Sequence, residues 1–381
     1  MTATYPATLA LLCSLTAFAG GFLVCVQAAR AEEGAPTPPA PESRLAFHGY
    51  GEVHYNNPAL GTMTSSAPAE ADVHRFVLGW TYEFTPNLRL DAEVDYEHAA
   101  RELELEYAHL DFDLLPTLTA RAGSLLLPVG PLNEFHEPPT YYSVERPYVQ
   151  QYVIPTTWQQ NGLGVVGRTA SGALAYRAYL VTGLDALGFS ALEGIRGGRT
   201  GSGEAKAEDL AGVARVEYAT TGGLSVAASG YYGGADHGAP GLGDVTVGIG
   251  EADARFRRGG LDLRGVFARV VLDGAGLVSL GDVGRVMQGF YGEAAYDFLR
   301  RDRSPERRRA LFLFARFERF DTNEEMPDGV PANPEAERTV LSGGLAFLPI
   351  EKVSLKADYE HWEDGANAQV NRFNLAAAFE F

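Results

Sequence analysis

Thiol chemistry is missing from nearly all of this chain. Its two cysteines, Cys13 and Cys25, both fall within the first 25 residues. Neither stands in a lipoprotein site, because the preceding residues, Leu12 and Val24, are bulky where a small side chain is required. No disulfide framework can therefore organise the rest. Lysine is nearly absent too, with Lys206, Lys352 and Lys356 alone in 381 residues. Acidic residues outnumber basic ones by 49 to 31, for a net charge of −18, which excludes a nucleic-acid partner that would need a basic surface. Beyond residue 26 no apolar run is long enough for a spanning helix, and mean hydropathy is only −0.10. Motifs for chemistry are also lacking. His136-Glu137 runs into Pro138 and Pro139 rather than forming a helical HExxH zinc site, and Gly197-Gly198 has no strand-to-helix setting for a phosphate. No serine nucleophile elbow is present. The residues imply no metal and no cofactor.

What is present begins with an apolar run from Ala7 to Val26, followed by Ala29-Arg30-Ala31, a small-x-small pattern before Glu32. This predicts a cleaved signal peptide over residues 1–31. A Pro-rich stretch, GAPTPPAPES at 34–43, makes 32–43 a disordered lead-in, and 44–381 is the folded domain.

From Arg44 onward the chain repeats one pattern, about ten residues of strict alternation and then turn residues. Phe76, Leu78, Trp80, Tyr82 and Phe84 alternate with smaller or polar residues. Thr85-Pro86-Asn87 then turns the chain, and Leu88, Leu90, Ala92, Val94 and Tyr96 alternate with five charged residues. Forty-four glycines, 18 tyrosines and 20 phenylalanines suit many strands joined by tight turns. The pattern predicts sixteen strands near 44–55, 73–84, 88–98, 102–113, 117–127, 161–169, 173–184, 209–219, 223–232, 244–257, 260–272, 285–299, 309–320, 338–348, 352–362 and 370–381. In the fourth, Leu103, Leu105 and Tyr107 share one parity and Leu110 and Phe112 the other, which predicts a bulge near Ala108.

Every second link is short, as at 114–116, 170–172, 220–222, 258–259 and 349–351, with the charged turn 300–308 as the exception. The intervening links are mostly longer. An even number of strands with this asymmetry is the pattern of a closed antiparallel barrel crossing a bacterial outer membrane, apolar outside and polar within, with no apolar centre. Trp80, Tyr82, Phe84, Phe347, Tyr359 and Phe381 then form interfacial girdles. The third long link, 128–160, carries five prolines from Pro131 to Pro155 and six aromatic residues. It is far longer than an ordinary connection and should fold inward against the wall.

Taken with that loop and the ending Phe373-Asn-Leu-Ala-Ala-Ala-Phe-Glu-Phe381, the sixteen segments resemble the general porins of Gram-negative bacteria. Residues 119–130, TARAGSLLLPVG, are similar in addition to the phosphate-selective porin O/P group. The chain departs from that group's lysine-rich pattern. The resemblance implies a water-filled channel for small hydrophilic solutes or inorganic ions, set in outer-membrane lipid. It also implies a homotrimer and a barrel-assembly signal at Phe379 and Phe381, read by the barrel-assembly machinery. By alternation, Arg75, Arg89, Arg121, Arg177, Arg215, Arg255, Arg257, Arg264, Arg316, Lys356 and Arg372 face the lumen with many carboxylates. A charge on the lipid face would cost about 2–4 kcal/mol at mid-membrane. The expected constriction sets Glu134, Glu137, Glu145 and Arg146 of the long loop against Arg75, Arg89, Arg121 and Arg177 of the wall. The alternatives are a barrel enzyme of phospholipase or protease type, and a structural or adhesive barrel plugged by the loop.

Overall fold

Alternating segments of this kind can satisfy every backbone group in lipid only by closing on themselves. In the structure, a computed structural model describing residues 44–58, 68–99, 101–278, 281–300 and 309–381, they do close. The signal peptide, the lead-in and most of the 300–308 turn lie outside the described residues. Among the described residues sixteen antiparallel strands follow the chain around the barrel, and the last pairs with the first. They are β1 (Leu45–Asn57), β2 (Glu70–Thr85), β3 (Leu88–Glu97), β4 (Glu102–Leu115), β5 (Leu118–Leu126), β6 (Gln159–Arg168), β7 (Leu174–Thr182) and β8 (Leu210–Ala219). The second half holds β9 (Leu224–Gly234), β10 (Thr246–Arg258), β11 (Leu261–Asp273), β12 (Val286–Asp297), β13 (Ala310–Glu325), β14 (Glu337–Ile350), β15 (Val353–Asp364) and β16 (Gln369–Glu380). The sixteen expected strands are all present, and β13 runs on past Phe320 to Glu325.

Burial is inverted relative to a water-soluble protein. Phe47, Leu163 and Tyr232 on the outer face are 71%, 60% and 66% exposed, whereas Arg316, Glu318 and Glu360 on the inner face are 1%, 0% and 0% exposed. The exterior is therefore an apolar belt, and the charged rows point inward as alternation requires.

Two bulges re-aim side chains. In β4, Tyr107 pairs with Glu93 and Leu105 with Val94, leaving Glu106 as the extra residue. The parity switch expected near Ala108 occurs there, and it turns the Glu106 side chain into the lumen, where it is buried. In β2, Arg75 pairs with Glu52 and Val73 with Val53, so His74 is the extra residue and points inward beside Arg75.

At the closing seam, glycines make room for aromatic rings. A Cβ on Gly49 would lie 2.8 Å from Cζ of Phe381, and one on Gly51 would lie 2.7 Å from Cζ of Phe379. The backbone of Phe381 donates to Gly49 O at 2.9 Å, so the terminal residue is tied to β1.

One expectation needs correction: the lumen is not polar throughout. Toward the long-loop end, Val213, Ile249, Val266, Val270 and Leu272 line the inner wall, all buried within one apolar cluster. The inward faces of β10 and β11 switch from charged residues (Glu251, Arg264) to aliphatic ones along their length. An aromatic loop folded inside needs an apolar wall to pack on, and these residues supply it.

Candidate functional site: the lumen and its inward loop

The long link between β5 and β6, residues 127–158, is folded inside the barrel. Asn133 fastens its two stems together. The amide nitrogen donates to Leu127 O and Trp158 O, both at 2.8 Å, and the side-chain oxygen accepts from Trp158 N at 2.8 Å. Beyond that staple the chain runs through bends and a short 3-10 turn at Pro138–Thr140 to one helical turn at Val149–Tyr152. Val144, Val149, Val153, Ile154 and Trp158 are wholly buried, the last four against the apolar wall.

The polar half of the loop is bound to the wall on several sides. Tyr142 OH donates to Asp262 on β11 at 2.6 Å, and Tyr148 OH donates to Glu360 on β15 at 2.8 Å. The backbone N–H of Val149 donates to Glu318 on β13 at 3.0 Å. Lys356 on β15 donates to the carbonyls of Pro138 and Ser143 at 2.7 and 2.8 Å, and Arg264 on β11 donates to Thr140 O at 2.9 Å. Arg316 on β13 donates to the Ser143 hydroxyl. Buried carbonyls and N–H groups of an irregular loop must find partners, and here wall charges provide them.

The candidates named from the sequence fall in several places. Glu134 meets Arg177 at 3.0 Å, and the Arg177 guanidinium also lies over the Phe135 ring at 5.7 Å. Burial pushes the Glu134 carboxyl above its ordinary range despite that arginine. Glu145 reaches β1, accepting from Asn56 at 2.8 Å with the His54 imidazole 3.6 Å away. Burial alone would raise its pKa, but His54 outweighs burial and holds it at about 2. Glu137 is half-buried at the start of a short 3-10 turn, Pro138–Thr140. Arg146 is buried and borders the outer cavity described below. The remaining wall arginines pair with wall carboxylates: Arg75 with Glu97 at 2.8 Å and Glu52 at 3.4 Å, and Arg89 and Arg121 both with Asp111, at 2.9 and 2.7 Å. Of the four, Arg177 is the one in salt-bridge contact with a loop acid, while Arg121 acts on Glu134 from farther away.

Sequence reasoning placed Arg264, Arg316 and Lys356 in the lumen but did not connect them to the loop, since nothing in the local sequence states how far the loop reaches across. It omitted Glu52 and His54, although the alternation of β1 puts both inside. It also missed a second inward loop at 183–209. There Arg196 donates to Gln151 O at 3.2 Å and Arg199 to Thr156 O at 3.1 Å, on the long loop's return limb. Across the barrel, Arg338 on β14 donates to Leu192 O at 3.1 Å. Burial and the neighbouring Arg199 and Arg146 lower the Arg196 pKa to about 10, so it stays charged near neutrality.

Two water-accessible spaces flank the long loop. The outer one, about 820 Å³, is bordered by Arg146, Arg196 and Arg199 with Glu97, Glu104 and Glu106. The inner one, about 240 Å³, is bordered by Leu132, Glu134, Arg215, Asp253 and Arg255.

No known protein-family profile matches the chain. An uncharacterized protein of Aquifex aeolicus (strain VF5) is 33% identical over 360 residues, spanning 88% of this chain and 80% of its own length. The chain belongs to that protein's family. Among solved structures, this barrel is similar to the outer membrane channel DcaP of Acinetobacter baumannii. The TM-score is 0.61 at 11% identity, covering 89% of this chain and 97% of that one. An anion-selective porin from Comamonas acidovorans aligns with TM-score 0.59 at 10% identity, covering 89% and 100%. A loop-deletion mutant of OmpT, an outer membrane protein of Vibrio cholerae, aligns with TM-score 0.58 at 13% identity, covering 89% and 99%. At such identities the likeness establishes the fold: a sixteen-stranded barrel of outer-membrane type.

Proposed function

We propose that the protein is an outer-membrane porin, a channel for passive diffusion of small hydrophilic solutes or ions, narrowed by the loop at 127–158. The observation that carries this reading is the loop's position between two water-accessible spaces, inside a barrel whose outer surface is apolar. Fixed charges of both signs line the spaces, the arrangement by which a wide pore sorts solutes. The constriction joins Glu134 and Arg177, Glu145 with β1, and Arg146 at the outer side. Phosphate selectivity is not part of the proposal, because three lysines cannot build the basic ladder it requires. Export follows cleavage after Ala31, and the barrel-assembly machinery reads the terminal strand at Phe379 and Phe381. A homotrimer belongs to the same reading, and OmpT of Vibrio cholerae has been solved in a trimer form.

The plugged-barrel alternative draws on the same loop, which is bound to β1, β7, β11, β13 and β15. Electrical recording from purified protein in a planar lipid bilayer separates the two. Discrete, ohmic conductance steps are expected for the channel. A silent bilayer containing correctly folded protein would support the plug.

A further inference from the structure

Three of the chain's eight histidines gather at one point on the rim of the barrel. His54 comes from β1, His74 from β2 and His98 from the link after β3. The first two rings stack at 4.5 Å, with 9° between planes. The His98 ring meets that of His74 edge-on at 5.4 Å. Asp72, two residues before His74, lies between the latter pair: its Oδ2 is 2.6 Å from Nδ1 of His98 and 3.6 Å from Nδ1 of His74.

We propose that Asp72, His74 and His98 bind a divalent transition-metal ion of the zinc class at the mouth of the barrel.

Four features lead to this assignment. One donor atom from each of the three residues lies within 4.8 Å of the others. Ligand atoms about 2.0–2.1 Å from a tetrahedral zinc stand roughly 3.3 Å apart, so the His74–Asp72 separation already fits. The His98–Asp72 separation is that of a hydrogen bond, which opens by a fraction of an ångström when an ion replaces the shared proton. The second feature is backbone that departs from regular strand at both histidines. His74 is the extra residue of the β2 bulge, without which it would face lipid. His98 adopts a left-handed conformation, φ +48°, and so does Ala99, φ +56°. Such conformations persist where surrounding structure holds them, and they concentrate at functional positions. The third feature is access: His74 and His98 border the outer 820 Å³ space, and their side chains and that of Asp72 are 29–41% exposed. The fourth is ligand chemistry. Two imidazoles and a carboxylate, with no thiol nearby, suit zinc, nickel or copper better than calcium or magnesium.

Three protein ligands leave at least one coordination position for water. A site of that kind keeps a position open to water or a further ligand, unlike a closed structural site. Residue types alone do not disclose it, since the left-handed turn that brings His98 beside Asp72 is invisible in them. The proposal is independent of the channel reading, because a plugged barrel could carry the same rim site.

The test is titration of untagged, detergent-folded protein with Zn²⁺ by calorimetry, and with Co²⁺ by visible absorption. One ion per chain is expected, with a ligand-field spectrum for Co²⁺ lacking a thiolate band. H74A and H98A should each weaken binding by about 10–100-fold or more, since even outer-shell changes at metal sites have that effect. H361A is the control: His361 lies on the outward face of β15, where it hydrogen-bonds Asn371 at 2.7 Å, and its loss should leave the titration unchanged. Heat-modifiable gel migration verifies that each variant is folded. Zinc binding by folded H74A/H98A at wild-type affinity, or no saturable binding to the wild type, would overturn the proposal.

Discussion

Glu106 Oε1 lies 3.1 Å from Nε2 of His136, with both side chains buried in the lumen. The first stands on the β4 bulge and the second on the inward loop, so a one-residue irregularity in the wall meets the segment that crosses the lumen. Removing either partner leaves the other buried without its counterpart. E106A and H136A should each destabilise the folded barrel by about 1–3 kcal/mol. The double variant should be little worse than either single one, because the pair acts as a unit. The checking measurement is the temperature of the heat-modifiable gel transition. Additive losses would mean that the two residues do not interact.

The closing seam makes a second test. Phe381 covers Gly49, and Phe379 covers Gly51. F381A should lower the yield of folded barrel without abolishing it, since Phe379 and the eight residue pairs between β1 and β16 remain. G49V should impair closure more severely, because its Cβ would also lie 2.3 Å from the Val77 carbonyl oxygen. Folded and unfolded bands on an unheated gel report both variants, and unchanged folded yields would contradict the role given to the seam.

Selectivity should respond unequally to the wall arginines. R177Q removes the wall arginine among the four candidates that is in direct contact with a loop acid, and should shift the reversal potential toward cations. R121Q should shift it less, because Arg89 also binds Asp111, at 2.9 Å, and continues to neutralise it. A larger shift for R121Q than for R177Q would contradict the selective role given to the Glu134–Arg177 pair.

Glu145 gives the loop a pH dependence of known sign. Its pKa is depressed in the fold, to about 2, so ionised Glu145 favours the anchored loop. That contribution is fully present above the ordinary carboxylate pKa, about 4.3, and is lost as pH falls from there toward 2. Thermal stability of the wild type should therefore fall across that window more steeply than that of E145Q. Parallel curves would remove Glu145 from the anchoring set.

How far the sequence disclosed this arrangement depends on the range of the interaction. Alternation is local, so all sixteen strands and the inward arginines were legible, and opposing parities in β4 located a bulge two residues from Glu106. The long loop betrayed itself by its prolines and aromatic residues. Its partners were not legible. Tyr148 meets Glu360, 212 residues away, and Val144 meets Asp358 at a separation of 214, and no local pattern records such pairings. The inward course of 183–209 was hidden for a related reason. Its glycine-rich sequence reads as an ordinary surface link, and hydrogen bonds from Arg196 and Arg199 bind it to the loop beneath.

The central claim is that residues 127–158 narrow an open pore, and single-channel conductance of the wild type beside a variant lacking 133–148 tests it most directly. The deletion removes Glu134, His136, Tyr142 and Glu145, and with them most of the contacts that hold the loop across the lumen. The wild type should give discrete steps, and the folded deletion variant should give clearly larger ones, because the narrowest segment dominates the resistance of a pore. Equal conductance in the two would place the constriction elsewhere, and a wild type that stays silent while the deletion variant conducts would make the loop a plug.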